Sequence, residues 1–172
     1  GVLFGIVQGG LYAAHRERCA SVLAAWPFDG YALGGFSVGE PLGAGGPAMD
    51  AALAPLPADR PRYLMGVGSP WEMIDAIARG VDLFDCVLPT RNARKGTVFT
   101  RDGKLVVKNA EYAEDDRPID EHCACRACRR YSRSYIRHLF QVGEQLAGRL
   151  ATIHSLAFME DLMKRVREAI AN

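Results

Sequence analysis

No run of about 18 apolar residues occurs in the chain, which excludes a membrane-spanning helix and gives no reason to expect a membrane partner. The opening residues lack a basic segment, an apolar stretch of signal type and a small-residue cleavage site, so no secretory signal is expected there. An initiator Met is lacking too, and the chain opens directly on the apolar run Val2–Val7, as a fragment would. Charge of one sign is scarce. The 21 Lys and Arg against 20 Asp and Glu leave a net charge of +1, so any nucleic-acid contact must come from a local patch. Cysteine is present, but not in a pattern that suits disulfides. Of the five, Cys19 and Cys86 stand alone, while Cys123, Cys125 and Cys128 crowd together. The odd count and the tight cluster point to a reducing, cytoplasmic setting and a bound metal. What is there is an ordinary globular composition. With 49% apolar and 24% charged residues a real core is expected, and 172 residues make one domain or part of a larger one.

As far as Gly96 one theme repeats: an apolar run ends in a Gly-rich turn and an amphipathic stretch follows. The runs are Val2–Val7 before Gln8-Gly9-Gly10, Tyr31–Leu33 before Gly34-Gly35, Tyr63–Val67 before Gly68-Ser69-Pro70, and Leu83–Leu88 before Pro89-Thr90-Arg91. Helices are expected at Ala13–Ala25, Ala48–Leu53 and Pro70–Arg79, the last with Ser69 as N-cap, Pro70 at its first position and Gly80 as its C-terminal cap. Strands alternating with helices predict parallel βα units, at about 30 residues each in a (β/α)8 barrel. Four units make half a barrel with two unpaired edges, a poor design on its own. The expected fold class is therefore α/β, the C-terminal half of a TIM barrel over residues 1–96 (about strands five to eight). The other half would lie upstream or come from a second copy.

Residues 97–172 read differently. Thr97–Thr100 and Lys104–Lys108 form an expected hairpin about Asp102-Gly103, an acidic loop spans Glu111–Glu121, and helices follow at Ser132–Val142 and Glu144–Ala171 with Gly143 as the break. Cys-x-Cys-x-x-Cys brings three thiolates into one knuckle, and a single histidine would complete the closed tetrahedral set of a structural zinc. Three unligated thiols beside several arginines would be an oxidation liability. For the fourth ligand, His122 abuts the cluster and would strain it, and His138 lies on a helix face that is otherwise aromatic. His154 sits in a mostly apolar helix, where an unpaired imidazole is costly to bury. The residues favour His154 and leave the choice open.

In a (β/α)8 barrel chemistry sits at the C-terminal strand ends, here Gln8, Gly34-Gly35, Ser37, Glu40, Met65-Gly66, Asp82, Asp85 and Arg91. Asp85 interrupts an apolar run. It is either a salt-bridged structural carboxylate or a nucleophile, and its surroundings favour the second. Gln8 offers donors and acceptors to an amide-bearing base, the glycine pairs let backbone approach a flat ligand, and Met65 can stack on a ring. A carboxylate beside such a slot suits attack at a sugar carbon. Arg91, Arg94 and Lys95, and a second set of Arg126, Arg129, Arg130, Arg133 and Arg137, are candidates for phosphate contacts on RNA.

Five blocks in collinear order resemble the bacterial tRNA-guanine transglycosylases. They are Val7-Gln8-Gly9-Gly10, the stretch Gly34 to Glu40, the stretch Tyr63 to Gly68, the stretch Phe84 to Arg94, and the cysteine knuckle followed by His154. The resemblance covers nearly the whole chain. It implies a zinc-containing (β/α)8 enzyme that exchanges the wobble guanine of certain tRNAs for the 7-deazaguanine preQ1 on the queuosine pathway. By that match Asp85 attacks the ribose anomeric carbon and forms a covalent intermediate. Gln8, Gly35, Phe36, Met65 and Gly66 hold the base, and Arg91, Arg94 and Lys95 hold the anticodon loop. Cys123, Cys125, Cys128 and His154 bind zinc. Val38 stands where the preQ1-using enzymes tend to carry valine. Further aspartates of the family lie upstream, so the chain alone is expected to be inactive. Tyr131, Tyr135 and His138 share one helix face, either as core packing or, as the family implies, as a homodimer contact. The rival readings are a non-catalytic tRNA-binding relative, a retaining glycosidase with a zinc module, and the archaeal branch of the family.

Overall fold

The computed structural model describes residues 1–36 and 42–172, so Ser37, Val38 and Glu40 lie outside the described residues. It divides into two compact units, Gly1–Cys86 and Val87–Asn172.

The first unit is α/β. Strands β1 (Phe4–Val7), β2 (Gly30–Leu33), β3 (Arg62–Leu64) and β4 (Leu83–Phe84) form a parallel sheet in that order. Helices α1 (Ala13–Ala24), α2 (Leu42–Leu53) and α3 (Pro70–Ala78) make the crossovers that parallel pairing requires. The register runs Val7 opposite Leu33, Leu33 opposite Leu64, and Leu64 opposite Phe84, so the four strands end side by side. Central β2 is buried along its length, as its continuous Gly-Tyr-Ala-Leu run suggests. Val7, Tyr31, Leu33, Met49, Leu64 and Val67 form the core.

Two of these elements depart from the sequence expectation. Helix α2 begins at Leu42 and carries Pro47 inside it. The sequence expectation starts this helix at Ala48, but a Cβ on Gly45 would stand 3.2 Å from the Phe36 ring and one on Gly46 3.3 Å from the Arg79 guanidinium. Close packing, and not turn formation, uses those glycines. Strand β4 stops at Phe84 and does not continue to Leu88. The chain turns into a short helix, α4 (Leu88–Arg94), because Pro89 presets the dihedral of a first helical turn and cannot extend a strand.

The second unit holds α4, the hairpin β5 (Thr97–Thr100) and β6 (Gly103–Val106), and helices α5 (Arg126–Arg130), α6 (Arg133–Gln141) and α7 (Gln145–Ala171). Thr100 pairs with Gly103, so the turn residues are Arg101 and Asp102, one position earlier than expected. Ser132 caps α6 through the Tyr135 amide at 3.2 Å, and Gly143, at φ +77°, breaks α6 from α7. Ala93, Val98, Ile119, Ile136, Leu139 and Leu150 form its core.

Candidate functional site

Asp85 lies one residue past the end of β4. Its Oδ1 accepts the Tyr63 hydroxyl at 2.6 Å and the Gly66 amide at 2.8 Å. Tyr63 points there because it pairs with Leu83, two residues before Asp85 and on the same face of the sheet. Gly66, at φ +76°, occupies the left-handed region where a side chain would be strained, and so aims its N–H at the carboxylate. The two donors, Tyr63 first, hold the Asp85 carboxyl below its ordinary value. The same contact raises the Tyr63 phenol. Asp85 is exposed and hydrogen-bonded rather than buried without a partner, and among the described residues no cation pairs with it. Asp82 belongs elsewhere. It stands at the N-terminal start of β4, where its Oδ2 accepts the Arg62 amide at 2.8 Å.

At the ends of β1 and β2 the Gln8 side chain lies against Gly34-Gly35. A Cβ on Gly34 would overlap the Gln8 amide nitrogen, and one on Gly35 would stand 3.2 Å from its Oε1. Glycine at Gly34 is therefore a condition for Gln8 to occupy this place. Gln8 is exposed, and Met65 and Gly66 are half-buried. Phe36 is different: it is 2% exposed, with its ring against the Arg16 guanidinium at 4.1 Å. Its side chain is a wall of the first unit's core.

In the second unit the ligand atoms of Cys123, Cys125, Cys128 and His154 lie within 4.8 Å of one another. Cys125 caps α5, its Sγ accepting the Cys128 amide at 3.4 Å. His154 is fully buried, with Nδ1 3.3 Å from the Cys128 Sγ. Its Nε2 lies 2.8 Å from the Phe99 carbonyl, which has no proton to give. Nε2–H is therefore the donor, and the Nδ1 lone pair is left facing the thiols. Three soft sulfurs and one oriented imidazole suit a closed tetrahedral zinc site. Without a cation, the Cys128 thiol bonds to Cys125 and pulls its value down, and that same bond pushes Cys128 up. A divalent cation would let all three be thiolates at once. Asp120, buried, braces the knuckle by accepting the Arg101 amide at 2.9 Å and the His122 amide at 2.8 Å.

Arg91 and Arg94 lie three apart on α4, with Lys95 as its C-cap, and all three are exposed. Arg126, Arg129 and Arg130 are exposed as well. Arg133 drops out of the basic patch. Its guanidinium donates to Pro118 O, Ile119 O and Asp115 Oδ2 at 2.8, 3.1 and 3.1 Å, and its side chain is only 12% exposed. Arg137 is occupied by Asn109 O and Gln141 Oε1.

The family model described as queuine tRNA-ribosyltransferase matches residues 1–172. The chain belongs to the queuine tRNA-ribosyltransferase family. A relative of that name from Thermoanaerobacter pseudethanolicus is 60% identical over 168 residues, 98% of this chain and 45% of the relative. Another from Desulforamulus reducens is 57% identical over 98% of the chain and 45% of the relative, and one from Bacillus pumilus 55% over 98% and 44%. The chain thus spans less than half the length of these family members. Tyr63, Asp120 and the Phe99 carbonyl escaped the sequence reading, although the alternation along β3 and β4 carries a signal for Tyr63.

Proposed function

We propose that this chain is the nucleophile-bearing part of a tRNA-guanine transglycosylase, its four strands being half of a (β/α)8 barrel. The observation that carries the reading is the Asp85 carboxylate, exposed just past the C-terminal end of β4 and oriented by Tyr63 and Gly66, at the same end of the sheet as Gln8 and Gly34-Gly35. Asp85 attacks the ribose C1′ of the wobble nucleotide. The C1′–base bond breaks and guanine departs with the electron pair, taking a proton from an acid outside these residues. The incoming base, preQ1 in this reading, then gives its ring N–H proton to that same outside group as the nitrogen attacks C1′, and the Asp85 carboxylate leaves with the electron pair. Gln8 and the backbone at Gly35, Met65 and Gly66 hold the base, the stretch around Val38 contributing from outside the described residues. Arg91, Arg94 and Lys95 hold phosphates of the anticodon loop.

The zinc in this reading is structural, held by Cys123, Cys125, Cys128 and His154, and it pins α7 to the cysteine knuckle. Tyr135 is 40% exposed and stacks on Tyr131 at 5.4 Å, while Ile136 and Leu139 take the core positions of α6. This supports a homodimer contact in the complete enzyme. The test is incorporation of labelled guanine into unmodified tRNA by the complete enzyme. Asp85→Asn is expected to abolish it; full activity in that variant would refute the assignment.

A further inference from the structure

Arg16 is wholly buried near the candidate base slot, yet no step of the reaction proposed above uses it. Its Nη1 donates to the Val7 carbonyl at 2.9 Å and its Nε to the Gly10 carbonyl at 2.8 Å. Those two carbonyls bracket Gln8. The Val7 oxygen also accepts the Gly34 amide at 3.1 Å, so one oxygen joins Arg16 to the end of β2. The guanidinium carbon lies 4.1 Å from the Phe36 ring centroid, and a Cβ on Gly35 would stand 3.4 Å from Nη2. The Gln8–Gly10 turn is in turn pressed against α1, since a Cβ on Gly9 would stand 2.8 Å from the Arg16 amide nitrogen. One planar cation therefore touches both segments that face the base: the turn carrying Gln8 and the Gly34–Phe36 corner.

We infer that Arg16 is a positioning residue for base recognition, acting through Gln8 and the Gly34-Gly35 backbone. The inference rests on the transglycosylase reading of this site. A guanidinium fork can hold the two carbonyls and lie flat on the ring together, whereas a lysine ammonium is a single point that cannot do all three. Those partners help to compensate the burial of the charge, which favours one arrangement of the turn and the corner. The side chain never meets the ligand. Its effect should appear in affinity for the base and not in affinity for tRNA or in the chemical step.

The test compares wild type, Arg16→Lys, Gln8→Ala and the double variant in the complete enzyme, with guanine as the probe. In Arg16→Lys the KM for guanine should rise about tenfold, the loss of one charge-assisted bond, with kcat and the KM for tRNA within about twofold of wild type. The double variant should lose less guanine affinity than the product of the two single losses, because part of the Arg16 effect runs through Gln8 and the rest through the Gly34-Gly35 backbone. An unchanged guanine KM in folded Arg16→Lys, or effects that multiply in the double variant, would overturn the inference. If Arg16→Lys does not fold, Arg16→Gln serves, keeping an amide donor for the Val7 carbonyl; failure of both to fold would assign Arg16 to stability instead. Wild type that exchanges no guanine refutes the transglycosylase reading, an outcome separate from these.

Discussion

At the scale of single residues, the state of Asp85 is set by two hydrogen bonds. Both stabilise the ionised form, so the carboxylate stays charged further into acid than an isolated aspartate. Tyr63→Phe removes the larger of the two and leaves the Gly66 amide in place. The acid limb of the exchange rate proposed for the complete enzyme should then move to higher pH, measured as kcat against pH; an unmoved limb would mean that Tyr63 does not govern Asp85. A second carboxylate illustrates stability rather than chemistry. Asp115 is held well below the usual range by Arg117 and by the half-hidden Arg133. Because its folded value is lowered, that stabilisation is present above the ordinary carboxylate range and is lost as pH falls below it. Asp115→Asn should cost about 1–3 kcal/mol at neutral pH, most of it through Arg133 because Arg117 is exposed. Denaturant titrations should show the gap to wild type closing toward acid pH.

At the scale of elements, the Cys123, Cys125, Cys128 and His154 cluster links three pieces of the second unit: the knuckle, the hairpin carbonyl at Phe99 and helix α7. His154→Ala removes a ligand and leaves that carbonyl without its donor. Zinc affinity should fall by more than roughly a hundredfold, beyond the loss typical of outer-shell partners. Metal analysis after dialysis should show the depletion, and full retention would exclude His154 as a ligand. Much at this scale was legible in the sequence. The four parallel strands, helices α1, α3, α6 and α7, and the thiol cluster follow from periodicity, caps and spacing. The misses share one cause. The start of α2 is hidden because Gly45 and Gly46 serve packing against Phe36 and Arg79, which are remote in sequence. The identity of Tyr63 as the partner of Asp85, and of Phe99 as the partner of His154, is likewise a tertiary fact. The three acceptors that take Arg133 out of the basic patch, on Pro118, Ile119 and Asp115, are set by tertiary packing too.

At the scale of the molecule, β1 and β4 each pair on one side only among the described residues, and Leu3, Ile6 and Leu83 are exposed along those strands or beside them. Parallel edges of this kind need covering. The curated relatives are more than twice as long as the matched region, which supports a barrel completed by residues outside this chain. Residues 1–172 alone are expected to exchange no guanine, and addition of the remaining half should restore activity; exchange by the isolated chain would contradict the half-barrel reading. The central claim is that Asp85 becomes covalently linked to the ribose. The most direct measurement is a denaturing gel of the complete enzyme incubated with its tRNA, followed by peptide mapping of any slow-migrating adduct. The account predicts an adduct at Asp85 that is absent in Asp85→Asn and released by added guanine. An adduct mapped to another residue, or one that persists in Asp85→Asn, would contradict it.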